Sequence, residues 1–260
     1  QIKGLVSIKG AENSHAAIMA RALGIPAVMG LRDVPLLQLD GVDIIVDGYN
    51  GQVFISPNEA IVEEYRNLES EDQEFANLLK QEADEVASTD DGKRISLFIN
   101  SGMGFDSEYA GQEHIEGIGL YRTEYPFMMR QRFPSEQEQQ LLYQHVLGDF
   151  AGKPVVMRTL DVGGDKQLPY FPIVEDNPFL GWRGIRLTLD HPEIFLVQIR
   201  AMIKANVFTN NLHIMLPMIS DVGEVEEANR LINQAYLEVQ EELKEADAAA
   251  SVPKPKLGVM

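Results

Sequence analysis

VVMRTLDVGGDK, residues 155–166, decides the architecture of this chain. A short apolar run ends in Arg158, and a polar loop carrying Gly163 and Gly164 follows. A run of this length bounded by turn residues reads as a strand buried on both faces. Outward from it the same signal recurs over residues 95–100, 117–121, 214–217 and 257–260. Helical patterns lie between these runs, the clearest over 222–243, where Val225, Ala228, Ile232, Ala235 and Val239 share one face. Strands alternating with helices predict an α/β fold with a parallel sheet and crossover helices. An eight-stranded (β/α)8 TIM-type barrel typically takes about 250 residues, so residues 94–260 are expected to supply its N-terminal first half.

In such barrels chemistry collects at the C-terminal ends of the strands. GIGLYRTE puts Arg122 at one end, VVMRTLDVGGDK puts Arg158 at the next, and the following loop runs on to NPFLGWRGIR with Arg183 and Arg186. The planar guanidinium fork suits carboxylate and phosphate, because it offers two parallel charge-assisted hydrogen bonds. Converging arginines would hold a small polyanion, and Gly163 and Gly164 would let the backbone approach it. The residues also allow each arginine simply to pair with a local acid such as Glu124, Asp161 or Asp165.

Upstream, GAENSHAAIMARALGIPAVMG, residues 10–30, opens on a glycine, offers Asn13 and Ser14 as helix caps, and is stopped by Gly24 and Pro26. His15 then lies in the first helical turn, where free backbone N–H groups and the positive end of the helix dipole favour a neutral ring and a bound phosphoryl group. Read alone, a histidine in such a place is more often a surface or half-buried helix-start residue with no chemistry. Short strands over 4–8 and 26–29 and a hairpin over 42–46 and 52–55 complete a small α/β unit in residues 1–57. Residues 57–87 form one acidic helix with Ile61, Tyr65, Leu68, Phe75 and Leu79 in a stripe, within a linker spanning 58–93 that closes on STDDG at 88–92.

Composition narrows the partners. A hydrophobic content of 45% supports a real core, and the formal net charge of -18 makes nucleic acid a poor partner, leaving any phosphate site to a local arginine cluster. Zero cysteines remove disulfides and a cysteine nucleophile from these residues. No apolar run is long enough for a bilayer span, so the expectation is no membrane and a cytoplasmic setting. The chain starts at Gln1 and stops within a strand pattern at LGVM, and so reads as a fragment.

The string GAENSHAAIMAR, residues 10–21, resembles the phosphohistidine signature of enzymes that use phosphoenolpyruvate. LYRTEYPFM, MRTLDVGGDKQLPY and EDNPFLGWRGIR resemble the barrel of the enzyme I family of the phosphoenolpyruvate-dependent phosphotransferase system. Asn13 and Pro126 resemble its nitrogen-related branch more than its sugar branch. The resemblance implies a swivelling phosphohistidine domain, of which 1–57 is the C-terminal part, a long connecting helix, and a phosphoenolpyruvate-binding barrel. It implies His15 as the phosphorylated catalytic residue and Arg122, Arg158 and Arg183 as binders of the substrate's phosphate and carboxylate. The phosphoryl group would pass to a small histidine phosphocarrier protein, with pyruvate released. It implies Mg²⁺, with ligands expected beyond Met260 and none within this chain, so that the fragment alone is expected to be inactive, and a homodimer when intact. A pyruvate phosphate dikinase or phosphoenolpyruvate synthase-like enzyme, or a truncated, non-catalytic phospho-acceptor or interaction module, is the alternative.

Overall fold

The structure, a computed structural model of the chain, describes residues 2–9, 15–22, 24–32, 39–82, 86–102, 107–164, 168–174, 176–177, 179–245 and 252–260. The chain divides into two compact units, residues 1–83 and 84–260.

The first unit opens with β1 (Leu5–Ser7), α1 (His15–Ala22) and β2 (Ala27–Met29). β1 and β2 pair in parallel, Leu5 against Ala27 and Ser7 against Met29, so α1 is the crossover of a small βαβ unit. α1 stops as its sequence demands. Gly24 takes φ +64, its N–H donates to the Arg21 carbonyl, and the Ile25 N–H donates to the Ala20 carbonyl. Those two bonds are a Schellman cap, a conformation open to glycine because it lacks a Cβ. The expected caps Asn13 and Ser14 lie outside the described residues.

β3 (Ile44–Asp47) and β4 (Gln52–Ile55) form the antiparallel hairpin, followed by α2 (Glu59–Glu82). The hairpin is tied by one carboxylate. Asp47 accepts from the Tyr49 and Asn50 N–H groups at 2.9 Å, from Asn50 Nδ2 at 2.8 Å and from the Tyr65 hydroxyl of α2 at 2.8 Å. Tyr65 also meets Phe54, ring centroids 5.4 Å apart. The apolar stripe of α2 therefore divides: Tyr65 is packed on the hairpin, whereas Leu68 and Phe75 are exposed.

The helix expected to reach residue 87 ends sooner. Ala87 and Ser88 are extended and pair back, with a bridge from Ser88 to Arg94 and an Ile95 N–H to Ala87 carbonyl bond of 2.8 Å. The cause is turn chemistry in STDDG: the Thr89 hydroxyl accepts from the Lys93 N–H at 3.1 Å and offers the backbone a partner that a helix would not.

The second unit runs β5 (Leu97–Ser101), α3 (Ser107–Ala110), β6 (Ile115–Arg122), α4 (Glu124–Met128), α5 (Glu136–Asp149), β7 (Val155–Arg158), α6 (Ile185–Asp190), α7 (Pro192–Ala205), β8 (Leu212–Leu216), α8 (Val222–Glu245) and β9 (Lys256–Val259). The five strands form one sheet in sequential order, every neighbouring pair parallel. The expected α/β class with a parallel sheet is what the chain adopts.

One apolar cluster joins Ile118, Val155, Met157, Leu212, Ile214 and Leu216 of the strands to residues of α5, α7 and α8. From the helices come Tyr143 and Leu147, Phe195, Ile199 and Met202, and Ala228, Ile232, Ala235 and Val239. Each fully buried large side chain contributes about 1.5–3 kcal/mol, so this cluster dominates the stability of the unit. A second cluster of Phe127, Leu160, Val162, Leu168, Ile173 and Leu187 lies under the loops that leave β6 and β7. The helix starts are well made: Ser135 and Glu138 form a capping box on α5, and Pro192 opens α7. Among the described residues no helix is long and apolar enough to cross a membrane.

Candidate functional site

Arg122 and Arg158 are the last residues of β6 and β7, and they are register partners across the two strands. Adjacent parallel strands lie about 4.8 Å apart, so the two side chains leave the same edge of the sheet as neighbours. Arg158 is only 6% exposed. Its Nη2 donates to Glu124 Oε1 at 2.6 Å, and its Nη1 lies 3.1 Å from Asp161 Oδ2. Glu124 opens α4 directly after β6, so this ion pair links two strand ends.

Arg183 joins the same cluster from the turn before α6. Its Nε and Nη2 donate to Asp161 Oδ1 at 3.2 and 3.0 Å, and its Nη1 donates to the Phe179 carbonyl at 3.2 Å. Asp161 thus holds Arg158 with one oxygen and Arg183 with the other, and both acids are almost fully buried. Gly184, next to Arg183, has φ +57, and a Cβ there would stand 3.3 Å from Asp161 Oδ1 and 3.1 Å from Met218 Cγ. The close approach of that turn to the carboxylate is open to glycine alone.

Among the described residues, three guanidinium groups and two carboxylates occupy this space. Arg158 Nε is buried and has no hydrogen-bond partner among the described residues. An unsatisfied buried N–H donor of this kind costs about 1–3 kcal/mol. Arg122 is half-buried, and its Nη1 lies 3.5 Å from the Tyr125 hydroxyl, at the outer limit of a hydrogen bond. The pairing with local acids and the convergence of arginines, open alternatives in the sequence, coexist: Arg158 and Arg183 are converged by sharing Asp161. Arg186 faces elsewhere, donating to the Gly181 carbonyl and to Ser220 Oγ at 2.8 and 2.9 Å. Asp165 lies outside the described residues.

His15 is the first residue of α1 in the first unit; its side chain and residues 10–14 lie outside the described residues. No group of three His, Asp or Glu side chains able to hold a metal ion occurs among the described residues. Glu124 and Asp161 turn oxygens to guanidinium groups, whereas Mg²⁺ asks for near-octahedral oxygen donors. The donor set here does not fit that ion.

The sequence reading passed over Thr123, Tyr143 and Gln198, three buried polar side chains behind the arginines. The one signal was Gln198 itself, a polar residue on the apolar face of α7 between Phe195, Ile199 and Met202.

The family described as "PEP-utilising enzyme, PEP-binding domain" matches residues 76–260. The chain belongs to the phosphoenolpyruvate-utilising enzymes. A second match, "PEP-utilising enzyme, mobile domain", covers residues 1–51 and includes His15. Among relatives of this phosphoenolpyruvate-utilising chain, an Escherichia coli protein named phosphoenolpyruvate-dependent phosphotransferase system is 50% identical over 260 residues, 100% of this chain and 34% of that protein. The Salmonella typhimurium protein of the same name is 49% identical with the same coverage. A Staphylococcus carnosus phosphoenolpyruvate-protein phosphotransferase is 41% identical over 242 residues, 93% of this chain and 42% of that protein. The chain therefore spans roughly a third of the first two relatives it matches.

Proposed function

We propose that these 260 residues are the phospho-acceptor and substrate-binding parts of a phosphoenolpyruvate-protein phosphotransferase. A ring nitrogen of His15 attacks the phosphorus of phosphoenolpyruvate in line, the bond from phosphorus to the enol oxygen breaks, and enolpyruvate leaves to become pyruvate. Phosphohistidine then passes its phosphoryl group to a histidine of a small carrier protein. Arg122, Arg158 and Arg183 hold the phosphate and carboxylate and spread the charge of the transferred group. Residues 1–57 act as the moving phosphohistidine part, 58–93 as its connector, and 94–260 as the first half of a substrate-binding barrel. The full protein works in the cytoplasm, as a homodimer and with Mg²⁺.

One observation carries this reading: the buried Arg158, with Nε unpartnered among the described residues, at the C-terminal end of a parallel strand beside a second strand-end arginine. Family matches to a substrate-binding domain over these residues and a mobile domain over His15 support it. So does the sequential order of five parallel strands, which is how a barrel sheet grows. Calorimetric titration with phosphoenolpyruvate tests it. Arg158→Ala removes a buried charged hydrogen-bonding partner, an effect of about 2–5 kcal/mol, so affinity should fall at least about thirtyfold. An Arg158→Ala chain that folds and binds as tightly as the parent would overturn the assignment.

A further inference from the structure

Behind the arginine cluster lies a closed chain of hydrogen bonds with no role in the proposed reaction. Gln198, 0% exposed on α7, stands at its centre. Its Oε1 accepts from the Leu160 N–H at 2.9 Å; its Nε2 donates to Thr123 Oγ1 at 3.1 Å and to the Tyr143 hydroxyl at 3.2 Å. Thr123 donates onward to the carbonyl of Arg158 at 2.8 Å. Tyr143 donates to Gln139 Oε1 at 3.1 Å, and Gln139 Nε2 donates to the Pro134 carbonyl at 2.9 Å.

Direction is set at every link. Both amide hydrogens of Gln198 are used, its oxygen is used, and each hydroxyl receives one bond and gives one. The anchoring points are what matter for the site. Thr123 lies between Arg122 and Glu124, and Leu160 lies between Arg158 and Asp161. A single side chain therefore clamps the backbone after β6 to the backbone after β7, and these are the two segments whose side chains form the Arg158–Glu124 and Arg158–Asp161 pairs. A carboxamide in an apolar core is costly unless every polar atom is satisfied; leucine or methionine would fill the same space on the Phe195, Ile199, Met202 face.

We propose that Gln198 is a positioning residue for the substrate arginines: it sets the separation of the two strand ends and thereby the reach of Arg158. This rests on the phosphoenolpyruvate reading above. The effect travels through Thr123 to the Arg158 backbone and through Leu160 to the Asp161 segment, and Gln198 itself does not touch substrate.

A double-mutant cycle on the full-length protein carrying these residues, read by calorimetric titration with phosphoenolpyruvate, tests the idea. Gln198→Met should weaken binding about tenfold, the scale of lost buried hydrogen bonds. In an Arg158→Lys background the same change should have almost no further effect, because the group it positions has been replaced. Thermal melts of the same four proteins should show additive stability losses, as no purely structural role couples affinity to Arg158. Thr123→Val, a near-isosteric change that cuts the middle link, should repeat the pattern and serves if Gln198→Met does not fold. Unchanged affinity in a folded Gln198→Met or Thr123→Val chain, or losses that add to Arg158→Lys, overturns the positioning role. A full-length parent protein that does not bind phosphoenolpyruvate overturns the underlying reading instead.

Discussion

The two units of the chain are built by different means. In the first, the buried hydrophobic side chains among the described residues are Ala17, Ala20 and Val28, and a carboxylate, Asp47, ties the hairpin to α2. In the second, two apolar clusters and a continuous five-stranded sheet hold the strand ends that carry the arginines. Three helices there are also bracketed by charge: Arg200 of α7 reaches Glu136 of α5 at 2.8 Å and Glu238 and Glu242 of α8 at 2.8 and 2.6 Å. The site proposed to recognise a small polyanion stands on the densely packed frame, and the histidine proposed to travel stands on the light one. Pre-organised dipoles act best when fixed before the ligand arrives, and an element that moves is drawn from the less stable part of a protein.

Core truncation sharpens that contrast most. Ile199→Ala in the second unit should cost about 2–5 kcal/mol, and Val28→Ala in the first about half as much, both read from denaturant melts. Equal losses would break the comparison. At the site itself, Gly184→Ala forces a Cβ into a left-handed turn beside Asp161. Such strain is worth about 1–3 kcal/mol, and it should appear as weaker phosphoenolpyruvate binding with little change in the first unit's amide exchange.

The smallest effect lies with Asp47. Hydrogen bonds from Asn50, backbone first and then side chain, together with those from Tyr65 and Tyr49, hold its carboxyl down at about 2. Because the folded value lies below the unfolded one of 3.8, the stabilisation is complete above that pH and is lost as pH falls toward 2. The difference in unfolding between the parent and Asp47→Asn should therefore shrink from pH 4 downward, with amide exchange changing in the first unit and not in the second. A pH-independent difference would remove the carboxylate from its place as the tie.

Much of this organisation was legible in the chain because it rests on local signals. β7 is apolar from Val155 to Met157 and ends in a charge, so both strand and terminus could be read, and Gly24 and Pro26 marked the end of α1. The end of α2 was misjudged because Thr89 competes for its own backbone, a side-chain choice that apolar periodicity does not register. The pairing of Arg158 was open for another reason: Glu124 is distant in sequence and reaches it only once β6 and β7 lie side by side. The chain through Gln198 joins residues 123, 143, 160 and 198, so it exists only in three dimensions. A glutamine at an apolar helix position was its only trace.

Label transfer tests most directly whether one unit supplies the acceptor and the other the substrate site. The full-length protein carrying these residues is incubated with radiolabelled phosphoenolpyruvate and Mg²⁺, and acid-labile, base-stable label is mapped by proteolysis. Label on the peptide containing His15, abolished by His15→Ala and sharply reduced by Arg158→Ala, is the expected result. Label that survives His15→Ala, or a rate indifferent to Arg158, would contradict it.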